Sequence, residues 1–113
     1  MNKQDLIRDL IDKFDLASPV LAQTQDDMLD AKEALATAEY NHKYALIMAR
    51  ANAQGKNADQ REAEALLDDE VEERAQQLFE AQQVFNAAYR DFKDAEARIA
   101  HLRDLAGLVK ELE

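Results

Sequence analysis

Cysteine is absent from this chain, so it can form neither a disulfide framework nor a thiolate metal site, which fits a reducing compartment. Tryptophan is absent too, and aromatic residues make up only 6% of the sequence. Two glycines and one proline in 113 residues leave few places for the chain to turn. No stretch is apolar enough to span a membrane, and the opening MNKQDLIRDLIDKFDL is broken by charge every few residues, so it lacks a signal-peptide core. The expectation is a cytoplasmic protein with no membrane contact.

Positive charge is scarce. Fourteen Lys and Arg stand against 24 Asp and Glu, a formal net charge of −10. Direct binding to DNA or RNA needs clustered cations to neutralise phosphates, so this balance argues against it. A basic protein, or the basic groove of a nucleic-acid-binding protein, would be attracted instead.

What the chain does have is helix formers. Hydrophobic residues reach 47%, many of them alanine, with abundant Leu, Glu, Gln, Asp, Lys and Arg. After Gly55, residues Val71, Leu78, Phe85, Phe92, Ile99 and Ala106 fall seven apart. Leu67, Ala81, Ala88, Ala95, Leu102 and Val109 hold the second position of the repeat, interrupted only by Arg74. Before Gly55, one series is Ile7, Phe14, Leu21, Met28, Leu35, His42 and Ala49; the other is Leu10, Ala17, Thr24, Ala31, Ala38 and Ala45. Two such a/d registers define helices that pack along a seam.

The expected fold is all-α: a single domain, 1–113, built as a long antiparallel, coiled-coil-like helical hairpin. Arm one covers 2–53, the turn 54–57 and arm two 58–112. The first arm is expected to be kinked or interrupted near Pro19, because Ser18 and Pro19 suit an N-cap and first helical residue. Alanines at d let the helices approach closely. The ends are expected to be filled more heavily, by Leu6, Ile7, Leu10, Ile11 and Phe14 against Leu102, Leu105, Leu108, Val109 and Leu112.

The stretch QGKNADQ, residues 54 to 60, invites comparison with a phosphate-binding loop. Such a loop needs a second glycine, a following Ser or Thr, and a strand feeding into it, and none is present. A turn explains the residues better. Gly55 suits a left-handed helix terminus, Asn57 an N-cap, and Gln60 the return bond of a capping box. Lys56 at the tip is expected to be solvated.

Gly55, Lys56, Asn57 and Arg61 also resemble a GKN-x-x-x-R stretch of small helical proteins of unknown function encoded by phages and prophages. The resemblance covers Gly55 to Ala65, about a tenth of the chain. It implies a phage or prophage origin, residence in the host cytoplasm and a role near DNA replication or recombination. It supplies no catalytic residue and no cofactor.

Catalytic constellations are missing: there is no Ser-His-Asp or Cys-His arrangement. His42 occupies a seam position where Leu or Ala is expected, and Glu39 with His42 forms the Glu-x-x-His pair of di-iron bundles. Folding the hairpin about residue 56 places His42 level with Glu70, Glu73 and Arg74. A metal site would need a second such pair, and Arg74 would put positive charge into it. The favoured reading is a buried polar layer of His42, Arg74 and Glu70 that fixes the register of an alanine seam. The other histidine, His101, falls on the outer face. Asp26, Asp27 and Asp30 form one acidic cluster and Asp68 to Glu73 another; the hairpin puts them out of level, so no paired-carboxylate site is expected.

Tyr40, Tyr44, Ile47 and Met48 gather outside the seam near the turn, and Leu66 and Phe79 lie off the seam of the second arm. Two helices cannot cover this patch, so a protein should. The expected function is non-enzymatic protein binding, with homodimerisation into a four-helix bundle through the patch. Two alternatives are an acidic, nucleic-acid-mimicking inhibitor of a host defence or repair enzyme, and a metal-binding bundle centred on Glu39 and His42.

Overall fold

The structure, a computed structural model, describes residues 2–112. Among these residues the chain forms three helices and no strand: α1 (Lys3–Asn52), α2 (Ala58–Leu66) and α3 (Asp69–Lys110). Two compact units result. Unit 1 comprises Met1–Leu29 with Ala87–Glu113, and unit 2 comprises Asp30–Asn86. Helices α1 and α3 contribute a segment to each.

In unit 1 the two segments run antiparallel. Lys3 Nζ donates to the carbonyl of Leu112 at 2.8 Å, which satisfies an acceptor beyond the end of α3. Ile7 and Leu10 line a groove with Ala106 and Val109, and Lys13 and Ala17 line another with Arg98 and Ala95. Numbers rise on one helix as they fall on the other, as a hairpin requires. Leu10, Ala95, Ile99 and Leu102 are buried, Leu102 almost completely. Full burial of a side chain that size is worth about 1.5–3 kcal/mol.

Unit 2 holds the rest of α1, the connection 53–57, α2 and the start of α3. Its buried residues are Ala31, Leu35, Ala45, Ala65 and Val71. Three of the five are alanine, so this core is thin and depends on close helix approach.

The heptad register describes the seam well. On α3 every a and d position from Val71 to Val109 is buried or half-buried. On α1 the same holds for every position except Ile7, which is exposed. The chain ends are less filled than expected: Leu6, Phe14, Leu105 and Val109 are half-buried, but Ile11, Leu108 and Leu112 join Ile7 at the surface.

Three expectations about helix continuity need correction or refinement. First, α1 is not interrupted near Pro19; it runs unbroken with Pro19 inside it. Proline removes one backbone bond, to the carbonyl of Asp15, at a cost of about 3 kcal/mol. Half-buried Ala17 and Leu21 on either side remain in the seam, and their packing keeps the segment helical.

Second, the second arm is not one helix from residue 58. It breaks at Leu67 and Asp68, between α2 and α3. Asp68 causes the break by capping α3: its Oδ1 accepts from the backbone N–H of Glu70 at 2.9 Å and of Val71 at 3.2 Å. A side chain that takes these donors competes with continued helix. The consequence is that Leu67, assigned to the seam by its spacing, is 78% exposed, while Ala65 is buried instead. Third, the connection after α1 is one residue longer than expected, because α1 ends at Asn52.

Candidate functional site

The connection 53–57 is held almost entirely by polar bonds to α2. Asn57 adopts φ −138° and ψ 173°, and its side chain accepts from the backbone N–H of Gln60 at 2.9 Å. This is the expected N-cap. Gln60 returns a bond, but to the N–H of Lys56 at 2.9 Å, one residue earlier than a capping box requires. Glu64 Oε2 accepts from the N–H groups of Gln54 and Gly55 at 2.9 and 3.1 Å. Arg61 Nη1 donates to the carbonyl of Gly55 at 3.2 Å.

Gly55 is not left-handed, since no glycine has positive φ. Glycine is required here for a different reason. A Cβ at this position would lie 2.8 Å from the backbone nitrogen of Arg61 and 2.9 Å from the carbonyl carbon of Gln60. The connection lies directly against the first turn of α2, and only a residue without a side chain fits there.

Arg50, in the last turn of α1, meets Glu62 of α2 as a bidentate pair, Nη2 to Oε1 at 2.7 Å and Nε to Oε2 at 2.8 Å. The hydrogen bond from Arg50 holds the Glu62 carboxyl below its usual range, and the same bond raises Arg50. The motif residues Gly55, Asn57 and Arg61 therefore do structural work in the turn, and Lys56, Asn57 and Arg61 are all exposed.

The expected buried polar layer does not form. Among the described residues no polar or charged side chain is buried. Arg74 directs its guanidinium along its own helix, to Glu70 at 2.9 Å and Gln77 at 3.0 Å, and Glu70 is exposed. His42 is half-buried and is bonded to neither. These long side chains reach i±3 and i±4 neighbours and solvent more cheaply than they enter an alanine seam. Among the described residues no three His, Asp or Glu side chains gather as a metal ion would need. His101 is exposed, as its outer-face position implies.

The apolar patch is where the sequence puts it. Tyr40, Tyr44, Ile47, Met48 and Leu66 are all exposed, Tyr40 at 67%. Tyr40 and Tyr44, one helical turn apart, stack with ring centroids 6.3 Å apart and planes 13° from parallel. Tyr44 and Met48 line a groove of about 330 Å³ with Asn41, Asp68, Glu70 and Arg74. Along the next face of α3, Asp69, Glu72, Glu73 and Glu80 line a second depression with Gln76 and Gln77. Apolar and acidic surface thus adjoin in unit 2. The exposed Leu67 beside this patch was missed, and Asp68 in position to cap the next helix was the signal that could have revealed it.

No helix among the described residues is long and apolar enough to cross a membrane. The fold and this face define an all-α, hairpin-paired protein with an exposed aromatic and aliphatic surface. No family model matches the chain, and neither a curated protein nor a solved structure matches it.

Proposed function

We propose that the protein is a non-enzymatic binding module that presents Tyr40, Tyr44, Ile47, Met48 and Leu66 to a basic protein partner. The observation that carries this reading is the stacked, exposed Tyr40–Tyr44 pair with Ile47 and Met48 on the following turn. Aromatic residues with Met are the usual centre of an interface, and burying each such side chain is worth about 1.5–3 kcal/mol before association costs. The carboxylates of Asp68, Glu70, Glu72 and Glu73 beside the patch favour a partner with Lys and Arg around an apolar centre. They oppose a second copy of the same acidic surface. The likeness of Gly55, Lys56, Asn57 and Arg61 to phage and prophage proteins supports a nucleic-acid-binding partner active in DNA replication or recombination.

The test compares the native protein with Tyr44→Glu/Ile47→Glu as immobilised bait in bacterial extract, with captured proteins identified by mass spectrometry. A basic nucleic-acid-binding protein should be captured by the native chain alone, and its affinity for purified bait should fall as salt rises. Equal capture by the double variant would refute the role of the patch.

A second reading rests on the row Asp69, Glu72, Glu73 and Glu80, which could stand in for phosphates in a basic groove of a host defence or repair enzyme. Inhibition of a nuclease that survives Tyr44→Glu/Ile47→Glu but not Glu73→Gln/Glu80→Gln would favour it.

A further inference from the structure

Where the helices of unit 1 end, the seam opens into a groove that is apolar except at one end. Ile7, Leu10, Ile11 and Phe14 of α1 and Ala106 and Val109 of α3 line a space of about 260 Å³. Leu10 is buried, but Ile7 and Ile11 are exposed, Ile11 at 54%, so the groove offers apolar side chains to solvent.

Lys3 and Lys110 complete the lining. Both stand at the same end, because Lys3 Nζ donates at 2.8 Å to the carbonyl of Leu112, two residues beyond Lys110. Phe14 lies about three turns further along α1 from Lys3, roughly 16 Å away. The bond to Leu112 uses one of the three Lys3 donors. Among the described residues neither lysine forms an ion pair. The acids nearest to them in sequence, Asp5 and Glu111, stand two and one residues away, positions that turn to other sides of a helix. The grooves beside Leu16, Tyr44 and Glu73 all carry carboxylates. Two cations and no anion around an apolar groove therefore reverse, locally, the balance of a chain with net charge −10.

We propose that this groove binds one free, single-chain fatty acid, its carboxylate between Lys3 and Lys110 and its alkyl chain lying along α1 toward Phe14. A ligand with one anionic head and one apolar tail matches a groove charged at one end only. An acidic amphipathic helix would need cations along its length, and the lining from Ile7 to Phe14 has none. An anionic membrane would face the rest of an acidic surface, whereas a dissolved fatty acid meets only the two lysines. The inference is independent of the function proposed for unit 2.

Titration with decanoate, kept below its micelle concentration and followed by backbone and methyl NMR, tests it. Shifts should saturate and centre on Ile7, Ile11 and Val109. Affinity should rise about two- to fourfold per methylene from hexanoate to decanoate, as burial of each group predicts. Decanol and decyltrimethylammonium, which lack the anion, should bind more weakly by about threefold or more. Lys3→Gln/Lys110→Gln alters two exposed side chains and should stay helical by circular dichroism. It should weaken decanoate roughly three- to tenfold and leave decanol unchanged. Ile11→Glu, also at an exposed position, places a carboxylate in the groove and should weaken decanoate further. The proposal would be overturned by an absence of saturable shifts, by equal shifts at Leu16 and Val20 or at Tyr44 and Met48, by decanol binding as tightly as decanoate, or by unchanged affinity in either variant. Sedimentation with phosphatidylglycerol vesicles but no response to decanoate would make the ligand a membrane and overturn it equally.

Discussion

Replacing Gly55 with Ala would place a methyl carbon 2.8 Å from the Arg61 nitrogen, 2.8 Å from Gln60 Cβ and 2.9 Å from the Gln60 carbonyl carbon. Optimal carbon contacts are about 3.5–4.0 Å, so the connection must move away from α2. Two of the three atoms belong to helix backbone and cannot rotate aside. Movement would stretch the bonds that hold the turn: Glu64 to the N–H groups of Gln54 and Gly55, and Arg61 to the Gly55 carbonyl. Overpacking of this kind costs about 1–3 kcal/mol, while the stiffer unfolded chain returns about 0.4–1 kcal/mol. The net loss should be about 1–2 kcal/mol in urea unfolding followed by circular dichroism. Gly107→Ala is the control. It lies inside α3, a Cβ there meets nothing within 4 Å, and alanine should stabilise by about 0.5–1 kcal/mol. Gly55→Asn separates crowding from backbone conformation. Asparagine tolerates a left-handed residue, so it should be milder than alanine if φ were the constraint and no milder if crowding is. A Gly55→Ala protein as stable as the native one would refute the close approach.

Asp68→Ala should cost about 0.5–2 kcal/mol by releasing the Glu70 and Val71 N–H groups, measured by the same unfolding. Asn57→Ala should cost a similar amount and leave partner capture unchanged; lost capture at full stability would make the turn a binding site. The Arg50–Glu62 pair sets a pH dependence. Because the folded Glu62 carboxyl lies below its ordinary value of 4.5, its contribution is present above that value and is lost as pH falls through the lowered folded one. Carboxyl NMR should find the Glu62 midpoint higher in Arg50→Gln, and an unchanged midpoint would contradict the pairing. A spectroscopic distance between labels at positions 3 and 112 should be short, given the bond from Lys3 to the Leu112 carbonyl.

The seam was legible because heptad spacing is a property of many residues at once. Val71 through Val109 hold their places even with Arg74 among them, since one long polar side chain can bend out to Glu70 and Gln77. The same freedom made the supposed layer of His42, Arg74 and Glu70 illegible: spacing gives a residue's position on the helix and not where a flexible charged side chain ends. Leu67 failed for a local reason. Its spacing was right, but Asp68 next to it offered the backbone a competing cap. Gly55 was placed correctly for the wrong cause, because the sequence marks a position that excludes a side chain without saying whether φ or a neighbour excludes it. The Tyr40–Met48 patch was legible as surplus, four large side chains on a face that two helices leave open.

Helix α2 has only nine residues and buries only Ala65. Isolated helices shorter than about 12–15 residues are marginal in water, so α2 borrows its order from Arg50, the 53–57 connection and the caps at either end. All of those contacts lie at the surface and are polar. Hydrogen exchange should therefore find the amides of 58–66 opening as a separate unit, at lower free energy than the seam amides of α1 and α3. Such an opening would release Leu66 and Leu67 together from one strap of chain. The apolar surface of unit 2 would then have an adjustable border, able to reshape around an incoming side chain while the long helices stay fixed.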